Sequence, residues 1–556
     1  MQLKVIPLGG LGEIGLNMTV FEYGETALIV DAGLMFPEAY MLGVDFVIPD
    51  MEYIRQNRHK VSGIVLTHAH EDHIGALPFL LREVNAPVFG TAFTLAVASK
   101  RLEEHELLAN TTLNTITPDQ KLKIDSFELE FIRVSHSIVD GVGLVLQTPL
   151  GIIIHTGDFK INPTPTDGFK TDVGRFAWYG QKGVLALLSD STNVEKEGYT
   201  ISDQKVGVAL EKIVSESRGR IIVALFASAI TRIQQIIDLA DASGRKVVFN
   251  GRSIETNVAI ARELGFIHVP QGMEIDIRQI SDFPDNEIVI ITTGSQGEAM
   301  AALARISAGF HKQIKIRNND TVILSSKFIP GNEKAIAKII NKLYRLGADV
   351  IYEKISAIHV SGHAFREELK LMINLTNPKY FIPIHGEYRH LILHSRLAME
   401  TGIPKDNVLQ IENGQVVRFE ADNQGETKGW IDKERVGTSR VLIDGKGVGD
   451  VGRSILKERR HLSEDGMVAV NMAIDEETGY IVFGPEIDSR GFVFASETGH
   501  LLEDAKCVIL EIVEEIDPET PDRIILIRSK VQKALRQYFK FAIRRYPIIL
   551  PFIIEV

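Results

Sequence analysis

The chain has 556 residues, 45% of them hydrophobic and 24% charged, which is enough apolar material for several cores. A formal net charge of −12 excludes broad electrostatic capture of a polyanion, so a nucleic-acid substrate needs a local positive centre, which bound metal ions supply. The one cysteine, Cys507, excludes an intramolecular disulfide and a cysteine-based zinc site. It sits in an apolar run, AKCVILEIV, and is expected to be buried packing in a cytoplasmic protein. No stretch approaches the ~20 apolar residues that span a bilayer, and the start, MQLKVIPLGG, lacks a signal-peptide pattern, so no membrane partner is expected.

The first part is predicted to be β-rich. MTVFEYG, ALIVDAG, SGIVLTH, FELEFIRVSH, VGLVLQTP and GIIIHTGD are short apolar or alternating runs broken by Gly, Pro and Asp. Helical patterns such as HIGALPFLLREV lie between some of them, which suggests a sandwich flanked by helices. Gly10-Leu11-Gly12-Glu13-Ile14-Gly15 matches a dinucleotide fingerprint, but LNMTVFEYG after it alternates like a strand; a glycine-rich turn between strands is expected instead. From about residue 205 strands and helices alternate, as in GRIIVALFAS then AITRIQQIIDLADASG, the pattern of a parallel sheet with helices on both faces. The ligand crevice of such a sheet lies at the carboxyl ends of its strands, where Phe226-Ala227-Ser228, Thr293-Gly294-Ser295 and Ser325-Ser326 fall. After about residue 355 the β-rich style resumes, so this block is inserted into the first domain. The boundaries expected are 1–204 and 356–420 for the interrupted domain, 205–355 for the insertion, 421–459 for a linker and 460–556 for a small α+β C-terminal domain. In the tail, Lys530, Lys533, Arg536, Lys540 and Arg544 make a basic helix face, read first as solvated, with RNA contact as the alternative.

The strongest chemical signal is Thr67-His68-Ala69-His70-Glu71-Asp72-His73, three histidines and an aspartate within six residues at the end of an apolar strand. His68 and His70, two apart in extended chain, point to one side, and Asp72 and His73 come where a helix begins. Imidazole with carboxylate suits zinc, or manganese where oxygen ligands increase. His136, Asp158 and His385 each follow an apolar strand, where a sandwich presents its active edge, and are candidates for the remaining ligands.

With these residues, PLGGLGEIG, LTHAHEDHIGALPFLL, SHSI, HTGDFK, LLSDSTN, FASAITRIQQ, TTGSQGEAMAAL, PGNE, HVSGH, IPIHGEYRH, GPEIDSRGF and RRYPIILPFIIEV run in order along essentially the whole chain. The chain resembles the metallo-β-lactamase superfamily, its nucleic-acid-processing β-CASP branch, and within that the bacterial ribonuclease J family. The resemblance implies an αββα sandwich with an inserted doubly wound β-CASP domain and a C-terminal domain that assists assembly. It implies two Zn2+ (or Mn2+): His68, His70 and His136 on one, Asp72, His73 and His385 on the other, and Asp158 bridging. It further implies that Asp190 and His363 belong to the active site, with His363, oriented by Asp190, protonating the leaving group. The activity implied is two-metal hydrolysis of single-stranded RNA to 5′-phosphate ends, 5′-to-3′ from a 5′ monophosphate and also endonucleolytic, in mRNA decay and rRNA maturation. His359, Ser361 and Gly362 beside His363, with Ser228, Arg232 and Ser295 of the insertion, are the candidate contacts to RNA and its 5′ phosphate; each also has a reading as a cap or turn residue. A homodimer, a homotetramer or a hetero-oligomer with a paralogue is implied as the assembly. The chain departs from the family pattern at Lys327 and Phe328, at Ala229, and at Ala364-Phe365, all bordering the RNA channel. Two competing readings are a weakly active paralogue serving as a structural subunit and a small-molecule hydrolase of the same superfamily. All seven ligand positions are present, against the first; the insertion and HVSGH argue against the second.

Overall fold

The computed structural model describes residues 1–556 except 167, 295–300, 327–331, 357, 359, 446 and 493–498. Two sheets face each other in the N-terminal part. One runs in the order Thr427–Arg435, Gln415–Ala421, Leu3–Gly9, Met18–Tyr23, Thr26–Val30, Val61–Val65, Val88–Gly90, Leu113–Thr115. The other runs Tyr380–Ile384, Val184–Asp190, Gly151–His155, Val142–Thr148, Phe127–Arg133, Lys121–Ile124.

The two-residue period of a strand sorts the second sheet's side chains between two cores. Leu129, Phe131, Leu144, Leu146, Ile153, Leu188 and Ile382 pack against Leu3, Val5, Phe21 and Leu28 of the first sheet. Their chain neighbours Ile132, Val145, Ile154, Leu187 and Phe381 pack on the opposite face against Phe176, Leu369, Met372 and Leu397 from helices Val173–Lys182, Arg366–Thr376 and Tyr388–Glu400. Burial on both faces explains why these strands are almost continuously apolar; each such side chain contributes about 1.5–3 kcal/mol.

The insertion holds a five-stranded, wholly parallel sheet in the order Lys246–Asn250, Ile288–Thr292, Ile221–Ala224, Thr321–Leu324, Asp349–Ile351. Helices Ala302–Ser307 and Glu333–Arg345 cover one face through Leu303, Ile306, Ile336 and Leu343, and Ile230–Ala242 and Arg252–Glu263 pack against the strand Lys246–Asn250. The expected sandwich and inserted doubly wound sheet are therefore both present. The Gly10–Gly15 run lies between the strands Leu3–Gly9 and Met18–Tyr23, with no helix after it.

Residues expected to form a linker, 421–459, are more ordered than their polar composition suggests. Thr427–Arg435 pairs antiparallel with Gln415–Ala421 around a turn in which Asp422 accepts from the backbone N–H groups of Gln424 and Glu426. That strand is an edge, so its outward side chains face water and the run carries no apolar signal. Arg440–Asp444 and Gly447–Val448 are also strands, and a helix starts at Arg453.

Residues 36–47 and 442–556 form a separate compact unit. Its sheet, in the order Ile481–Arg490, Met467–Ile474, Ile548–Glu555, packs Val468, Val470 and Ile553 against helices Gly499–Glu514 and Arg523–Ile543. Cys507 is exposed, not buried as expected. The buried positions of its helix are Ala505, Ile509 and Val513, and a residue two positions from that four-residue repeat falls on the opposite side. Lys530, Lys533, Arg536, Lys540 and Arg544 are all exposed. Among the described residues no helix is long and apolar enough to cross a membrane.

Candidate metal centre

The strand Val61–Val65 ends at the sandwich edge, and the chain turns there into the short helix Glu71–Ile74. This bend delivers four side chains from one segment: His68 and His70 from the turn, Asp72 and His73 from the helix. His136 and Asp158 follow the strands Phe127–Arg133 and Gly151–His155, and His385 follows Tyr380–Ile384. His68, His70, His136 and Asp158 form one group of potential ligands, and Asp72, His73, Asp158 and His385 a second; within each, the ligand atoms all lie within 4.8 Å of one another.

Ligands at the corners of a tetrahedron about zinc, each roughly 2.0–2.1 Å from the ion, are about 3.3 Å apart. In the first group the His70 Nδ1 is 3.1 Å from both His68 Nε2 and His136 Nε2, and the Asp158 Oδ2 is 3.7 and 3.8 Å from those two nitrogens. In the second, Asp158 Oδ2 is 3.3 Å from His73 Nε2 and 3.4 Å from His385 Nε2, and Asp72 Oδ2 is 3.7 and 3.9 Å from them. These are the edges of two tetrahedra that share one corner, Asp158 Oδ2. The residues present fit a pair of divalent cations.

The rings are aimed by their other nitrogens. His73 Nδ1 donates to Asp31 Oδ2 at 2.7 Å, His385 Nδ1 to Asn17 Oδ1 at 2.8 Å, and His136 Nδ1 to the Gly362 carbonyl at 2.8 Å. His68 Nδ1 meets Thr67 Oγ1 at 3.0 Å, and that hydroxyl in turn donates to Asp31 Oδ2 at 2.9 Å. Each bond places the proton on Nδ1 and leaves the Nε2 lone pair pointing into the site. Asp31 (φ 63°) and His385 (φ 50°) both adopt the left-handed conformation, a local cost of about 1–2 kcal/mol that the surrounding contacts hold in place.

Electrostatics agree with a cation at these positions. Burial pushes the His68 and His136 imidazoles well below their ordinary pKa and His70 down to about 4, so all three are neutral and able to coordinate. His73 is pulled the other way: burial lowers it, but Asp158, Asp72 and Asp31 outweigh burial and raise it well above normal. Those carboxylates call for a positive charge at His73 Nε2, which a proton or a metal ion satisfies. Burial raises the Asp158 carboxyl, but His385, His73 and His363 hold it well below the usual range.

Beside the ligands, His363 Nδ1 donates to Asp190 Oδ2 at 2.8 Å, and Asp190 Oδ1 is held by the Thr192 N–H at 3.0 Å and hydroxyl at 2.7 Å. Burial lowers the His363 pKa, but Asp190 and Asp158 more than offset it and bring it to about 9. His363 is the more open member of the pair, with a fifth of its side chain exposed. Gly362 cannot be replaced without disturbance: a Cβ there would lie 2.5 Å from His136 Cε1.

Of the other expected contacts, Ser361 and Gly362 lie beside His363, whereas Ser228 and Arg232 lie on the insertion. Ser361 Oγ takes a hydrogen bond from Asn193 Nδ2 at 2.5 Å, and the same amide donates to the His363 carbonyl. The Ser228 carbonyl accepts from the Ile230 N–H at 2.8 Å, at the start of helix Ile230–Ala242. Arg232, on that helix, lies 3.7 Å from Asp203; its Nη1 is buried without a hydrogen-bond partner, and burial lowers its pKa to about 10. No hydrogen bond or ion pair among the described residues joins Ser228 or Arg232 directly to the metal ligands. His359, Ser295, Lys327 and Phe328 lie outside the described residues. Sequence reading missed Asp31, Asn17 and Thr67. Asp31 follows the apolar strand TALIV as His136, Asp158 and His385 follow theirs, so the same rule points to it.

Four family descriptions match in chain order. They are the metallo-beta-lactamase superfamily over residues 11–186, the ribonuclease J beta-CASP domain over 218–343, a Zn-dependent metallo-hydrolase RNA specificity domain over 347–408, and the ribonuclease J C-terminal domain over 454–556. The chain is 42% identical to Ribonuclease J 1 of Streptococcus pyogenes, covering 100% of this chain and 98% of that protein. It is 41% identical to Ribonuclease J2 of Bacillus subtilis, covering 100% and 99%, and 44% identical to Ribonuclease J of Synechocystis over 88% of this chain and 76% of that one. A crystal structure of an Enterococcus faecalis protein of unknown function shares the fold, with a TM-score of 0.51 at 16% identity, covering 77% of this chain and 100% of that one. With full-length relatives at this identity and the two tetrads in place, the chain belongs to the ribonuclease J family of β-CASP metallo-β-lactamases and is a ribonuclease of that family.

Proposed function

We propose that the protein is a two-metal ribonuclease that degrades single-stranded RNA 5′-to-3′ from a 5′ monophosphate, also cuts internally, and leaves 5′-phosphate and 3′-hydroxyl ends. The observation that carries this reading is the shared Asp158 Oδ2, which lies 3.3–3.8 Å from nitrogens of both tetrads. His68, His70 and His136 would hold one Zn2+ (or Mn2+), Asp72, His73 and His385 the other, with Asp158 common to both. Bound there, the two cations would acidify an attacking water and neutralise charge on the phosphoryl oxygens.

The protein's own part is to orient and to move a proton. Asp190 fixes the His363 ring through Nδ1 and favours its charged form, so at neutral pH His363 carries a proton at Nε2 as well. That proton passes to the leaving 3′ oxygen as the P–O bond breaks. Asp31, Asn17, Thr67 and Gly362 keep the ligand rings from turning. Ser361, Gly362, His359, Ser228, Arg232 and Ser295 remain the candidate contacts to RNA and its 5′ phosphate, of which Arg232 has a cation with an unused donor. Roles in mRNA decay and rRNA maturation, a cytoplasmic site, and a homodimer, homotetramer or paralogue hetero-oligomer complete the reading.

Similar identity to proteins named J 1 and J2 supports a second reading, a weakly active paralogue that mainly scaffolds its partner. The full ligand set weighs against it. The test is purified protein with a 5′-monophosphorylated RNA and its 5′-triphosphate twin, with and without chelator. Chelator-sensitive, stepwise decay favouring the monophosphate is expected. Equal cutting of both ends would indicate internal cleavage, and no cutting of either would favour the scaffold.

A further inference from the structure

Glu368 is fully buried, and among the described residues no lysine or arginine pairs with it. Its two oxygens accept four hydrogen bonds instead. Oε1 takes the Ile161 N–H at 2.7 Å and the Thr200 hydroxyl at 2.9 Å, and Oε2 takes the Thr200 N–H at 2.9 Å and the Phe365 N–H at 2.8 Å. A buried, uncompensated charge is costly unless its acceptor positions are filled, and a carboxylate is the side chain that offers acceptors for all four donors. The three donor residues come from three segments. Ile161 is three residues after the bridging Asp158, and Phe365 is two residues after His363. Thr200 lies on the stretch by which the chain leaves the sandwich for the insertion. Backbone bonds reinforce the junction: Ala364 N–H to the Phe159 carbonyl at 2.7 Å, Arg366 N–H to Lys196 at 2.9 Å and Glu367 N–H to Gly198 at 3.1 Å.

We infer that Glu368 is a positioning residue, a clasp that ties the outgoing and returning crossings of the inserted domain to the loop behind Asp158. It thereby sets where the insertion presents RNA to the metal ligands and His363. This rests on the ribonuclease reading above. Because the clasp acts through the insertion, a substrate too small to reach the insertion does not need it.

The test is Glu368→Gln in the full chain, with a single-stranded RNA oligomer and with bis-(p-nitrophenyl) phosphate, a diester whose leaving group needs no proton. A Gln amide keeps one acceptor oxygen and turns its NH2 toward donors, so part of the clasp is lost. Bound metal is expected to be unchanged and hydrolysis of the small diester to stay within about threefold, while kcat/KM on RNA falls roughly 10- to 100-fold, the scale of small misplacements of a bound substrate. Hydrogen exchange at Ile161, Thr200 and Phe365 should accelerate. Equal loss on both substrates, or no loss on RNA, overturns the clasp. Should Glu368→Gln fail to fold, Thr200→Val removes only one hydroxyl donor; about threefold loss on RNA alone is expected, and no change there overturns the proposal. Wild-type protein that cuts the diester but not RNA would defeat the ribonuclease reading instead.

Discussion

The metal centre and the carboxyl end of the inserted sheet both gather polar side chains at strand ends, yet they are built differently. Around the metals nearly every ring has its second nitrogen tied to a specific acceptor, so the ligands hold their directions without a ligand present. At the inserted sheet, Ser228 engages its own helix start through its backbone and Arg232 leans on Asp203 with a donor unused. On the proposed reading, the contrast separates a centre that would hold fixed geometry for chemistry from a face that would contact RNA.

Five substitutions sharpen that contrast. The largest effect is expected for His70→Ala, whose Nδ1 lies between two other ligand nitrogens. kcat/KM on RNA should fall by roughly 10³-fold or more, about 4 kcal/mol, with metal content by elemental analysis dropping in parallel. Undiminished activity would break the assigned mechanism. His363→Ala should cost roughly 10²–10⁴-fold while retaining metal.

Asp190→Asn tests the same proton by pH. Burial lowers the His363 pKa and the Asp190 charge raises it, to about 9 overall, so wild-type activity should decline as pH rises through about 9. Removing that charge lowers the pKa, so the alkaline limb of kcat/KM should move to lower pH; an unmoved limb would show that His363 is not the acid. Asp31→Asn, which weakens the grip on His73, should lower metal affinity roughly 10- to 100-fold in a chelator titration. Smallest is Arg232→Ala: general RNA cleavage should persist, and the preference for a 5′ monophosphate should shrink by about 10-fold, the scale of one charge-assisted contact. A uniform loss on both RNA ends would move Arg232 from end recognition to folding.

How much of this is legible in sequence follows from the same contrast. The His68–His73 run is compact, and His136, Asp158 and His385 each stand where an apolar strand stops. Asp31 also stands where an apolar strand stops, but nothing in the spacing says which ring it serves: it reaches His73 across 42 positions and Asn17 reaches His385 across 368, pairings that only the folded sheets create. The sandwich and the inserted parallel sheet were readable from two-residue and strand–helix rhythms. The strand Thr427–Arg435 was not, because an edge strand with polar outward faces looks like a linker. Cys507 was misread because an apolar neighbourhood in a helix does not say which side a residue faces.

The ligands are strung unevenly along the chain, five of them between residues 68 and 136, Asp158 soon after, and His385 only beyond the whole inserted domain. During synthesis on a ribosome the first tetrad is therefore complete long before the second. If these residues hold two cations as proposed, a nascent chain cannot assemble the paired centre until residue 385 has emerged, so cleavage by it could not begin on the message still encoding it until most of that message has been read.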